Sequence, residues 1–443
     1  MVRSSERIRR KKNTSEEKEA DESAFRTIPE ELVIQILIRL SDLRFLIQCT
    51  TVCKLWYSLI THDHQFIPNF VQFLNHTRRR QYDDNNYEII MPYTILFRNS
   101  LYHDTNFYDL YSEESKIIHE DIVKIKNCYE SDGTVRATYL DMLLVSGDLH
   151  SIYELYISNP LTKTWIPLPS HHVRRWLDCG FVAKPKIDRF DDNEQYNYKV
   201  VLFDKSYNNR IVRVMTFCSE IGEWSISSWL PYSLLWPNLV EYPKLEGSVA
   251  SNNGIIYWLL KVGLNEVKGI FSCNPFKEEV DPKRFRFIEF PKICVETHRN
   301  KKVYRDRICI GIVKGQLRLS LIMNEGVSYF RLRIWELNND DDEEELLWCL
   351  VHEVRLRKTT KLDRTFVHAF HPNNSDVIFL SRNYNLYTYQ VREDKYKLDG
   401  RFPNAKNNSN FMKTCLPEYV RAFVLEHPPS SIPSPPNSSP WSI

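Results

Sequence analysis

The chain has 443 residues, 42% of them hydrophobic and 26% charged, with a formal net charge of +2. That length predicts two or three folding units of ordinary globular composition. A balance so close to neutrality sets up no long-range field, which argues against nucleic acid or an anionic membrane as the main partner, and no apolar run approaches the ~18 residues of a spanning helix.

Residues 1–24 come first. The stretch "RIRRKKNTSEEKEADES" has almost no apolar content and reads as a disordered tail. Its basic cluster, Arg7, Arg9, Arg10, Lys11 and Lys12, is either a nuclear-import patch or simply a solvated tail. The polar start is no secretory signal. Ten cysteines without a C-x-x-C pair or zinc spacing predict reduced thiols, hence cytoplasm or nucleus.

From Ile28 to Phe70 the pattern turns helical. At about 100° per residue, Leu32, Val33, Ile34, Ile36, Leu37, Ile38 and Leu40 cover roughly two thirds of a helix circumference. A helix lying on one core needs a stripe of about 100° or somewhat more. Thr27 and Glu30 have capping-box spacing, and Pro29 presets φ in the first turn. A second helical pattern follows in Phe45, Leu46, Cys49, Val52, Cys53, Trp56, Leu59 and Ile60. A module of about 45 residues with neither metal spacing nor a disulfide framework usually needs something to lean on. Either the rest of this chain or a foreign subunit covers the surplus.

These residues also carry a family resemblance. "IPEELVIQILIRL" followed by "CTTVCKLWYSLI" resembles the F-box of plant F-box proteins, matching at Ile28, Pro29, Glu31, Leu32, Ile36, Leu37, Leu40, Val52, Cys53, Lys54, Trp56, Leu59 and Ile60. Two departures fall between the helices: the second Leu-Pro of the pattern reads Leu40-Ser41, and the linker "SDLRF" is one residue longer than usual. The resemblance implies docking onto a Skp-type adaptor, and through it onto the cullin and RING subunits of a ubiquitin ligase. The surface it implies comprises Ile28, Pro29, Leu32, Ile36, Leu37, Leu40, Leu46, Val52, Cys53 and Trp56. The F-box is expected over residues 25–70.

A polar linker, residues 71–90, follows; its "TRRR" lacks the aromatic partners and wider basic surface of a nucleic-acid site. From 91 to 426 short runs rich in Tyr, Phe, Val and Ile replace helical periodicity. Six of them share one layout, an apolar strand, a polar turn and a second strand. Their turns fall at Ser112, Asn159, Ser219, Asn274, Asn338 and Val391, so the intervals are 47, 60, 55, 64 and 53 residues. A repeat of that size with several strands predicts a kelch-like β-propeller of about six blades, although the doubled glycine of kelch blades is absent. A two-layer β-sandwich is the alternative. Gly254 and Gly315 suit tight turns. The segments "NPLTKTWIPLP", "YNYKVVLF", "NGIIYWL", "RIWEL" and "HPNNSDVIFL" are similar to the F-box-associated domain of plant F-box proteins. The expected fold class is thus α+β multidomain, a small all-α F-box followed by a large all-β domain.

Candidate sites in the β-region are few. Trp165, Trp224 and Trp348 recur just after the turns, and a repeated position implies a repeated packing task. His62 with His64, His171 with His172, and His368 with His371 lack the acidic or cysteine partner of a recognisable metal pattern. No P-loop, G-x-S-x-G or Gly-rich phosphate motif is present, so no catalytic constellation, metal or cofactor is expected. The acidic run Asp340 to Glu345 reads as a solvated loop. Two longer connections, Ser170 to Gly180 and Ser227 to Gly247, offer arginine and aromatic side chains of the kind that anchor interfaces: Arg174, Arg175, Trp176, Trp229, Tyr232 and Trp236. Residues 427–443 form a Pro/Ser-rich, extended tail. The resulting expectation is a non-catalytic substrate-recognition subunit that holds an unidentified target protein. The alternatives are a scaffold bound to the adaptor outside any ligase, and a glycan-binding propeller.

Overall fold

The computed structural model divides into two compact units, residues 1–88 and 89–443. It describes residues 28–40 and 52–62 with isolated helical positions between 46 and 73, then strands and tight connections between 93 and 426. The expected tails 1–24 and 427–443, nearly all of the linker 71–90 and the acidic run 340–345 lie outside the described residues.

The first unit is built on two nine-residue helices, α1 (Glu30–Ile38) and α2 (Lys54–His62). Pro29 is the N-cap of α1 rather than its first-turn residue: its backbone is extended, and its carbonyl accepts the N–H groups of Leu32 and Val33 at 3.0 and 3.2 Å. No side chain caps this end, and Thr27 of the expected capping box lies outside the described residues. Glu30 and Glu31 place negative charge in the first turn, where the helix dipole favours it. Val33 and Leu37, one turn apart, pack with Leu46, Leu59, Ile60, Phe66 and Phe70 into one small core.

In the second unit the strands run in antiparallel ladders, and within each four-stranded sheet every strand pairs with the next in sequence. Five sheets have four strands in sequence order. They are β3 (Thr134–Tyr139) to β6 (Thr164–Pro167), β7 (Trp176–Lys186) to β10 (Glu223–Pro231), β11 (Pro243–Ala250) to β14 (Phe285–Ile288), β16 (Ile308–Val313) to β19 (Leu347–Arg357), and β20 (Thr365–Phe370) to β23 (Lys395–Arg401). A short β15 (Val303–Tyr304) adds to the third of these. The remaining sheet has three strands in the order β2 (Phe107–Leu110), β1 (Tyr93–Asn99), β24 (Val420–Glu426), so both ends of the unit share it.

The first strand of each full sheet, together with β24, faces a common axis. Neighbouring inner strands touch in the order β24, β3, β7, β11, β16, β20 and back to β24. Apolar cores lie between successive sheets rather than within one slab: one spans the first three blades, one joins the third and fourth, one the fourth and fifth, and two flank the three-stranded sheet. A sandwich has one such interface between two sheets, so that alternative fails. The fold is a β-propeller of five four-stranded blades, which corrects the expected count of about six; of the hairpin unit around Ser112, β2 joins the three-stranded closing sheet and the second run, residues 116–123, lies outside the described residues. The five remaining hairpins read from sequence are the outer strand pairs of the five blades. Gly254 and Gly315 stand at φ +86 and +81, inside the turns expected of them.

The recurring tryptophans have a repeated task. Trp165, Trp224 and Trp348 are each the second residue of their blade's outermost strand. Trp224 Nε1 donates to the carbonyl of Pro169, and Trp348 Nε1 to that of Glu289, both at 2.8 Å. Each acceptor lies just past the last strand of the preceding blade, so the indole pins the inter-blade link. Trp165 packs on the core beside the closing sheet. In the fifth blade Tyr396 takes the equivalent place, 4.4 Å from the ring of Tyr389.

Candidate functional site

Two features invite partners, and they lie in different units. The first is the outside of the helical unit. Leu32 is 50% exposed, Ile36 53% and Val52 53%, with Ile28 at 37%. Pro29 is exposed as well, while Leu40, Cys53 and Trp56 are half-buried. Leu32 and Ile36 are four residues apart and so share one side of α1; Ile28 precedes the extended N-cap Pro29 and stands just before the helix. Leu37 and Leu46 do not belong to this surface: both are essentially inaccessible and form the unit's own core. The sequence pattern could not separate Ile36 from Leu37, because both are apolar and they differ only in which side of α1 meets the core. Two further apolar side chains, Leu55 and Tyr57 on α2, are exposed as well. Burying a side chain such as Leu or Ile contributes about 1.5–3 kcal/mol, so this face stores enough free energy to hold a complementary surface.

Two of the six aromatic and arginine candidates of the β-region, Trp176 and Trp229, are among the described residues, and both lie in strands. Trp176 opens the inner strand β7, paired with Asp204. Trp229 sits within the outer strand β10, paired with Arg213. Both are expected in connections on sequence grounds, so the connections are shorter than the sequence suggests. Arg174, Arg175, Tyr232 and Trp236 lie outside the described residues.

The second feature is axial. A cavity of about 70 Å³ is lined by inner-strand residues of four blades and the closing sheet, among them Thr138, Tyr139, Ser248, Gly311, His368 and Phe423. It is far below the roughly 300 Å³ of a small-molecule site, and its described lining contributes no carboxylate. Just before these positions on their strands lie charged residues. Arg421 of β24 pairs with Glu246 of β11 at 3.0 Å, and Lys261 approaches the same carboxylate at 3.5 Å. As β24 and β11 are opposite members of the inner ring, the Arg421–Glu246 pair spans the axis. Asp178 of β7 completes the group within electrostatic reach of Arg421, Arg136 and Glu246. Burial pushes its carboxyl up to about 6, against the pull of the two arginines and the Cys179 N–H that donates to it at 2.8 Å.

The paired histidines are committed locally. His368 Nε2 is 2.8 Å from Ser381 Oγ. His371 Nδ1 accepts the N–H groups of Asn373 and Asn374, and burial lowers its pKa to about 4. His171 packs edge-on against Trp224, ring centroids 5.4 Å apart. His62, His64 and His172 have no described side chain.

Comparison with known proteins agrees with this architecture. Residues 101–425 match the family described as F-box protein At3g26010-like, beta-propeller, and residues 25–66 match the F-box-like family. No curated protein matches the chain by sequence. Among solved structures it is similar to a DUF4784 family protein from Bacteroides caccae, at 8% identity and a TM-score of 0.38, covering 75% of this chain and 74% of that one. TolB from Acinetobacter baumannii is similar at 8% identity and a TM-score of 0.35, covering 82% and 73%. An α-L-arabinofuranosidase from Fusarium graminearum gives 12%, 0.32, 60% and 80% for the same measures. At these scores the likenesses bear on no functional question.

Proposed function

Because this chain belongs to the F-box proteins with an At3g26010-like β-propeller, we propose that it is a substrate-recognition subunit of a Skp–cullin–F-box ubiquitin ligase. The helical unit docks a Skp-type adaptor, which brings cullin and RING subunits, and the propeller holds a target protein. The chain supplies no nucleophile. Its contribution to ubiquitin transfer is proximity, a raised local concentration of a target lysine. The observation that carries the reading is the exposed pair Leu32 and Ile36 on α1, with Ile28 exposed just before the helix, left over after Val33 and Leu37 have filled the unit's core.

The test is co-purification. Leu32→Asp with Ile36→Asp places two carboxylates on the docking row and should abolish recovery of a Skp-type adaptor while leaving the propeller's circular dichroism unchanged. Undiminished recovery would refute the assignment. With the wild-type chain, recovery of the adaptor without a cullin would favour the scaffold reading instead.

A further inference from the structure

The inner strands are irregular at one level. β3 bulges between Val135 and Ala137, β11 between Glu246 and Val249, and β20 between Val367 and Ala369. The residues skipped by the ladder are Arg136, Gly247 with Ser248, and His368. A bulge re-aims a side chain out of the regular alternation. Here Ser248 and His368 line the axial cavity, and Arg136 lies two residues before Thr138, which lines it as well. Three separate blades thus depart from ideal pairing around the same small space.

That space is short of partners for its donors. Ser248 is 8% exposed, lines the cavity, and its hydroxyl makes no hydrogen bond. Arg421 Nε, one residue before the lining Ala422, is likewise buried and unbonded. A buried donor left unsatisfied costs about 1–3 kcal/mol, so such groups mark a place where a ligand or water completes the bonding. The charges beside it are three cations, Arg136, Lys261 and Arg421, against two carboxylates, Asp178 and Glu246. Among these described groups the cations outnumber the carboxylates, with Arg136 Nε also donating to Ser146 Oγ at 2.7 Å, and low-dielectric walls focus such a field along the axis.

We propose that the axial cavity is a socket for one compact oxyanion, a carboxylate or phosphate group carried at the tip of a target side chain. The volume admits such a group and excludes a sugar ring or nucleotide of ordinary pocket size. Ser248 donates to it, and the positive excess around Arg421 and Arg136 holds its charge. This rests on the reading of the propeller as the target-holding part, but its test does not pass through the adaptor.

The experiment uses the full-length protein and two probes, inorganic phosphate and acetate, added at constant ionic strength with chloride as the control. Calorimetric titration should show saturable binding of at least one of them. Ser248→Ala, which removes the hydroxyl and adds no bulk to the cavity, should weaken that binding at least tenfold without lowering the melting temperature appreciably. Arg421→Gln should weaken it further. If Arg421→Gln fails to fold, Arg136→Gln serves in its place. Preference for phosphate over acetate points to a phosphorylated target, and the reverse to an Asp or Glu side chain. Absence of saturable binding, or equal affinity in Ser248→Ala, overturns the socket. The Leu32→Asp, Ile36→Asp protein should bind the anion as the wild type does, so loss of adaptor docking and loss of anion binding are separable results.

Discussion

The helical unit and the propeller treat apolar side chains in opposite ways. In the first, seven buried side chains among the described residues form the core, while Leu32, Ile36, Val52, Leu55 and Tyr57 stay outside. In the second, every sheet is sealed on both faces by a neighbour, and the largest side chains, Trp258 and Tyr198 among them, are fully enclosed. A small module cannot bury enough surface to stand comfortably alone, and its leftover surface becomes its means of attachment. The ring covers its sheet faces itself, and the apolar side chains it leaves exposed include Ile226, Leu347, Leu350 and Leu398 on the outermost strands of their blades, set apart from the polar groups on its axis.

Substitutions that cross this divide should behave differently. The largest effect is expected at Trp258→Ala. This side chain is fully buried, meets Phe203 edge-on at 5.1 Å, and donates to the Cys179 carbonyl; its loss should cost about 3–5 kcal/mol in denaturant unfolding of the propeller. Next comes the contrast within α1. Leu37→Ala should destabilise the helical unit by about 2–5 kcal/mol, whereas Leu32→Ala should change its stability by no more than about 0.5 kcal/mol. Comparable melting shifts for the two would erase the distinction between core and docking face.

A smaller, pH-dependent effect is expected at Asp178. Its folded carboxyl is raised to about 6 by burial, above the ordinary carboxylate value. The folded state therefore holds its proton more tightly than the unfolded one, and stability falls as pH rises from about 4 to 6. Below that window both states are protonated and the cost vanishes. Asp178→Asn should consequently be more stable than wild type at pH 8 and indistinguishable from it below pH 4, as read by thermal melts across the range. The smallest effect belongs to the indole ties. Trp348→Phe keeps most of the packing but loses the bond to Glu289, and about 1 kcal/mol should follow.

Much of this is legible in the chain. The outer hairpins announce themselves because their turns carry Asn, Ser and charged residues between apolar alternations, as in "YISNPLTKTW" and "VMTFCSEIGEW", and that periodicity yields the repeat. The second-position tryptophans are visible for the same reason. Blade number is misread because the first hairpin unit, around Ser112, belongs to a sheet completed by a strand from the far end of the unit, β24, and no local pattern reports such pairing. Ile36 and Leu37 are equally apolar in sequence; only the position of α2 decides which one is covered. The axial group stays hidden because Arg136, Asp178, Glu246 and Arg421 come from four strands spread along the chain, and bulges leave no compositional mark.

The ladder of β1 with β24, running from Tyr93 opposite Glu426 to Asn99 opposite Val420, has a consequence for biosynthesis. The clasp of the ring is the last of its strands to leave the ribosome, and it must find a mate synthesised before any complete blade. Until then the first and fifth blades each present a raw flank, so chaperone demand should peak late in translation. A transcript truncated before Val420 would yield an open arc, a species that cellular quality control can tell from the finished protein by its ungreeted edge.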